Sequence, residues 1–182
     1  MKVREEYQNM SRQELLDRVY ELGNNYQTYS GSCSQSVVAA LSDVIGFDDV
    51  LVKVATSSYA GQARQCLGTC GALVGGTMVL DYFTGRPKEN MSAEERIQFN
   101  ADMLTAATEV ALQLYDRFFQ EHKSTICTDM HRLFFGRTYW FPDPDDAQKF
   151  REAGNSEKCA DVVGKAARWV LEILLDEGEI EL

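Results

Sequence analysis

From Ile97 to Phe118 an apolar or small residue recurs at steps of four and three: Ile97, Ala101, Leu104, Thr108, Ala111, Tyr115 and Phe118. That spacing traces one face of an α-helix and cannot lie along a strand, whose faces alternate with period two. Ser92-Ala93-Glu94-Glu95 ahead of it is a capping box, so the longest helix should run to about Glu121. The rest of the chain follows the same rule. A first capping box, Ser11-Arg12-Gln13-Glu14, precedes the stripe Leu15, Leu16, Val19, Tyr20 and Leu22, with Gly23-Asn24 as its stop. Cys33, Val37, Leu41 and Val44 form a second stripe ending at Gly46, and Asp48 is placed to cap a third, short helix over Leu51, Val54 and Ala55.

After a loop at 57–65 comes a glycine-rich segment that should turn helical near Cys70 and stop at Gly85-Arg86-Pro87. His131 to Phe135 reads as a short helix, Tyr139 to Asp146 as an aromatic and then acidic loop with Asp143, Asp145 and Asp146 in solvent. Ser156 to Glu177 reads as the last helix, with the stripe Cys159, Val162, Val163, Ala166, Val170, Ile173 and Leu174. No run of alternating β-branched residues sits between turn signals. The expectation is an all-α fold, one helical bundle of about five to seven helices spanning residues 1–182 as a single domain.

A chain of 182 residues, 45% of them hydrophobic, buries a core without disulfide staples. Eighteen basic against 28 acidic side chains leave a net charge of −10, the wrong sign for a phosphate-binding surface, so no nucleic-acid partner and no anionic membrane are expected. The first twenty residues lack a secretory apolar stretch and no run reaches the length of a span, which points to the cytoplasm. Five cysteines there are core residues, metal ligands or redox thiols.

Cys33, Cys70, Cys127 and Cys159 each stand near the start of a helical segment, where free backbone N–H groups favour thiolate. Their separations of 37, 57 and 32 residues are unlike the short ligand pairs of zinc fingers, so spacing alone leaves inert burial, a shared metal site and thiol chemistry all open. Cys66 and Cys70, if both helical, share one face four residues apart and could form a reversible disulfide or supply two ligands. His122 and His131 read as surface or loop residues. Arg64 reads as a solvated side chain or an anion contact.

Cys70-Gly71-Ala72-Leu73-Val74-Gly75 resembles the signature of the redox-active family named for its C…GCAxxG…C…C pattern, and Gly31-Ser32-Cys33-Ser34-Gln35-Ser36-Val37 is similar to the segment before that family's first helix. The likeness spans roughly residues 30 to 165. It implies that Cys33, Cys70, Cys127 and Cys159 are the four characteristic cysteines, and that they hold a metal or iron–sulfur centre, a 4Fe-4S cluster being favoured and zinc the alternative. A related helical domain occurs in the split-Soret cytochromes, but no C-x-x-C-H haem-attachment sequence occurs here. Cys66 is additional to the pattern, which leaves open a ligand set of three family cysteines plus Cys66, and the aromatic and acidic segment between Cys127 and Cys159 is longer than the family leads one to expect.

Such a centre would be redox-active, moving electrons or assisting a reduction, with Gly71 and Gly75 letting backbone approach the sulfurs or simply packing helices closely. An undefined redox protein or small-molecule electron acceptor is the expected partner. The aromatics Phe134, Phe135, Tyr139, Trp140 and Phe141 would shield the centre or form a homodimer surface. Two other readings compete: a structural-zinc or cofactor-free interaction module, and a thiol–disulfide protein using Cys66 and Cys70.

Overall fold

A computed structural model of the chain describes residues 1–91 and 97–182. The capping box read at Ser92 to Glu95 lies outside the described residues. The rest is helical: α1 (Arg12–Ser30), α2 (Cys33–Ile45), α3 (Asp49–Val54), α4 (Gly71–Thr84), α5 (Ile97–His122), α6 (Cys127–Phe135), α7 (Pro144–Glu152) and α8 (Asn155–Asp176). Eight α-helices among the described residues exceed the five to seven expected, because α7 begins inside the segment read as a loop. β-pairing among those residues is limited to isolated bridges, Lys2 with Glu181 and Thr69 with Ile126. No described helix is long and apolar enough to cross a membrane.

The local signals act as their chemistry demands. Ser11 accepts the Glu14 N–H while the Glu14 carboxylate accepts the Ser11 N–H at 2.8 Å, so α1 starts with its orphan donors met. Gly31 and Gly46 close α1 and α2 in the left-handed conformation, at φ 71° and 88°. The Asp48 carboxylate caps α3 by accepting the Val50 N–H at 2.8 Å. Gly23 does not stop α1. The helix runs on for seven residues, and the missing side chain instead lets α1 approach α8: a Cβ there would lie 3.3 Å from Gly164 Cα.

Two expectations about faces and loops are corrected. The acidic end of the supposed loop is the first turn of α7, with Asp143 as its N-cap, accepting the Asp145 N–H at 2.8 Å, and Pro144 at its first position. Asp146 is held rather than merely solvated, accepting the Trp140 N–H at 2.8 Å and pairing with Arg137 at 2.6 Å. On α5 the buried face is Ala107, Leu114 and Phe118, with Val110 packed alongside, whereas Leu104 and Tyr115 are 51% and 43% exposed. The helix carries apolar residues on two faces, and periodicity could not tell which one the core takes.

That core is built by α1, α2, α4 and α8, with α5 against α4 and α8. Leu15, Val19, Val37, Leu41, Val79, Leu80, Leu114, Phe118, Val163, Val170, Leu171 and Leu174 have essentially no exposure. Each fully buried aliphatic or aromatic side chain contributes about 1.5–3 kcal/mol. The helical frame therefore rests on apolar burial, and the cysteines sit at its rim.

Candidate metal centre

Four helix starts converge on one cavity of about 260 Å³, lined by Cys33, Cys70, Cys127 and Cys159 together with Met130 and His131. Cys33 is the first residue of α2, Cys70 the N-cap of α4, Cys127 the first residue of α6, and Cys159 lies near the start of α8. At Cys33 and Cys70 the N–H groups of Ser34, Gly71, Ala72 and Leu73, at the starts of α2 and α4, face the sulfurs. The cavity brings together the four cysteines that the family resemblance implied.

Backbone pairing fixes two of them. The Cys70 N–H donates to Thr125 O at 2.7 Å and the Cys127 N–H to Gly68 O at 2.9 Å, so the strips before α4 and α6 run antiparallel for one short rung. Gly71 is the other fixed point. A Cβ on it would stand 2.3 Å from Cys33 Sγ, 2.9 Å from Tyr59 Cα and 3.0 Å from Ser58 O, so only glycine fits. Gly75 serves helix contact instead: its Cβ would meet the Ser34 carbonyl oxygen at 2.4 Å.

Without a cation the buried thiols stay protonated. Burial pushes Cys33 upward, against the backbone N–H groups of Ala60, Ser34 and Gly71. Cys70 is pushed up to about 12 by burial and then by the neighbouring Cys33, with the Ala72 and Leu73 N–H groups opposing. Cys159 is raised by burial, with Cys70, Cys33 and Cys66 adding to it. A cation among them would reverse the preference by favouring thiolate.

Cys66 belongs to a different arrangement from the one its spacing suggested. It is not helical and shares no helix face with Cys70. It sits at φ 61° in a loop where Ala60, Gln62, Ala63 and Arg64 are also left-handed, at φ 50°, 74°, 48° and 68°. Such a run of non-glycine residues is strained and calls for a reason. The loop is pinned by the Cys66 N–H donating to Ala60 O at 2.7 Å and by Thr128 Oγ1 donating to Cys66 O at 2.6 Å. The result is that Cys66 meets Cys127, not Cys70. The hydrogen bond between these two lowers Cys66 and raises Cys127, with the Phe141 N–H and the Arg64 guanidinium further favouring thiolate on Cys66. Arg64 itself donates to Phe141 O at 2.8 Å, which ties the loop to the aromatic segment.

Both histidines are buried, not superficial: His122 is 6% and His131 2% exposed. His122 packs on Phe118, 4.7 Å between ring centroids, and on Trp169. His131 follows Cys127 by four residues on α6 and turns Nε2 to within 3.6 Å of its sulfur, while Nδ1 has no hydrogen-bond partner among the described residues. Burial drives His131 down to about 4, so its imidazole is neutral near pH 7. Donor atoms of Cys66, Cys127 and His131 all lie within 4.8 Å of one another. The Cys127-x-x-x-His131 spacing carried this signal in the sequence, since residues four apart share a helix face.

The aromatic run forms part of the shield around the site. Phe141 and Phe150 stand 5.6 and 4.8 Å from the His131 ring, Tyr139 and Phe135 lie beyond, and Phe134, Phe141 and Phe150 line the cavity. Trp140 stays 44% exposed and outside it. The family described as "Putative redox-active protein (C_GCAxxG_C_C)" matches residues 31–173, a stretch that contains every residue lining the cavity but Gln27. No curated protein and no solved structure is a match for the chain.

Proposed function

The chain belongs to the C_GCAxxG_C_C family of redox-active proteins, and from that premise we propose that it is an electron-transfer protein holding an iron–sulfur cluster in the four-cysteine cavity. The observation that carries this reading is the convergence of Cys33, Cys70, Cys127 and Cys159 on one cavity. The donor set suits the group: thiolates are the ligands of such clusters, and burying several of them together is costly unless a cation is present. When bound, a 4Fe-4S cluster supplies one-electron transfer if every iron has a cysteine ligand, and a Lewis acid if one does not.

The chain's own groups would tune it. N–H groups of Ala60 and Gly71 at Cys33, and of Ala72 and Leu73 at Cys70, withdraw electron density from the sulfurs and raise the reduction potential. Phe134, Phe141 and Phe150 give the cavity apolar walls, which work in the other direction by penalising net charge. The reading includes a redox partner or small electron acceptor, a cytoplasmic location and a homodimer. Exposed Leu104, Leu112, Tyr115 and Phe119 give α5 an apolar face for the second copy.

Anaerobic purification tests the cluster directly. The chain should be brown, with iron and acid-labile sulfide in equal amounts, and Cys33→Ser or Cys159→Ser should lose most of both. A colourless, folded chain that takes up neither on anaerobic reconstitution refutes the reading.

A further inference from the structure

Cys66, Cys127 and His131 make a second cluster of donors, which the four-cysteine reading does not use as a set. We propose that these three side chains form a separate mononuclear site for a borderline-soft divalent cation such as Zn²⁺ or Fe²⁺, sharing Cys127 with the four-cysteine cavity. The inference goes beyond the cluster proposal, and the site can exist whether or not the cavity is filled.

Geometry carries it. Tetrahedral zinc with sulfur at about 2.3 Å and nitrogen at about 2.05 Å places those two donors about 3.5 Å apart. Cys127 Sγ and His131 Nε2 are 3.6 Å apart, and Cys66 completes a group within 4.8 Å. The two α6 donors are four residues apart on one helix, and the third is held against them by Thr128 and by a loop of left-handed residues. Backbone strain of this kind is maintained where a side chain must be aimed. His131 is 2% exposed and turns its Nε2 to Cys127 Sγ, although aromatic packing alone would be served by phenylalanine. Two thiolates and an imidazole select zinc, iron or cobalt over magnesium or calcium, which prefer oxygen. Three protein donors leave a fourth position, and Cys127 and His131 both line the cavity from which a water, a small anion or a cluster sulfide would fill it.

Co²⁺ titration of the full, iron-free chain under reducing conditions tests the proposal. One equivalent should bind with the visible bands of tetrahedral thiolate coordination. The Cys33→Ser/Cys159→Ser double variant should keep it, while Cys66→Ser and His131→Gln should each weaken it at least tenfold. Unchanged affinity in both single variants, or loss confined to the double variant, overturns the site. Should the variants fail to fold, X-ray absorption on the zinc-loaded unaltered chain decides: a first shell with two sulfurs and one imidazole nitrogen supports the site, and four sulfurs without nitrogen refutes it. Iron and sulfide content decide the cluster proposal, so the two can fail independently.

Discussion

Gly71→Ala perturbs the narrowest point of the site. The added methyl would lie 2.3 Å from Cys33 Sγ, where a comfortable non-bonded contact needs about 3.5–4.0 Å. Relief requires a shift of more than about 1 Å. Tyr59 Cα at 2.9 Å and Ser58 O at 3.0 Å are backbone and close the other directions, so Cys33 or the start of α4 must give way. Overpacking of this kind costs about 1–3 kcal/mol, and alanine's better helix propensity returns at most about 1 kcal/mol. A net loss of about 2 kcal/mol lowers the melting temperature of a chain this long by roughly 4–8 °C. Thermal unfolding of the iron-free chain by circular dichroism measures it, and iron content after reconstitution shows whether Cys33 has been displaced. Gly76→Ala is the comparison, because its Cβ would meet side-chain methyls, Leu114 Cδ2 at 2.7 Å and Val170 Cγ2 at 3.0 Å, rather than backbone or a cysteine sulfur. A Gly71→Ala chain as stable as the parent and fully loaded with iron would show that the cradle around Cys33 is not a constraint.

Below pH 6.5 the metal-free chain should lose stability. His131 is held neutral down to about 4, so the unfolded chain binds a proton first as pH falls, and stability drops by roughly 1.4 kcal/mol per unit across that window. His131→Gln should flatten this limb in urea titrations at pH 7 and pH 4.5, and an unchanged slope would contradict it. Cys70 sets the opposite edge: with its thiol raised to about 12, the unfolded chain ionises first above pH 9, so stability should fall between pH 9 and 12, less so in Cys70→Ala. Gln62, exposed at φ 74°, should gain about 0.5–1 kcal/mol on replacement by glycine, visible as a higher urea midpoint; a lower midpoint would show that Gln62 is not strained. Sedimentation of the chain should give a dimer that Leu112→Glu with Phe119→Glu converts to monomer, whereas a monomeric parent dismisses the α5 face as an interface.

Helix existence was legible wherever capping and periodicity agreed, as at Ser11-Glu14, Gly46 and Asp48. The start of α4 at Cys70 was equally plain, since four glycines nearby mark a backbone that must come close to something. Periodicity failed on α5, where two apolar faces compete and tertiary packing alone chooses. It failed again at α7, whose nine residues hold only two buried side chains, Ala147 and Phe150, too few to make a stripe. The convergence of Cys33, Cys70, Cys127 and Cys159 came from a family likeness, because separations of dozens of residues carry no geometry of their own. Cys66 was misplaced for a physical reason. A four-residue spacing sets Cys66 beside Cys70 only if both are helical, whereas the left-handed loop swings its sulfur toward α6. His131 was undervalued because a lone histidine beside aromatics reads as filler until the cysteine one turn earlier is set against it.

The rung joining Gly68 and Cys70 to Thr125 and Cys127 is made of peptide groups and owes nothing to sulfur. Two stretches 57 residues apart are thereby clasped during folding itself, and the entropy of closing that long loop is met before any guest arrives. Small zinc-nucleated domains work the other way round, collapsing only as the ion enters. Here a chelator should empty the chamber and leave the helices standing, and refilling should proceed at a rate set by encounter rather than by refolding.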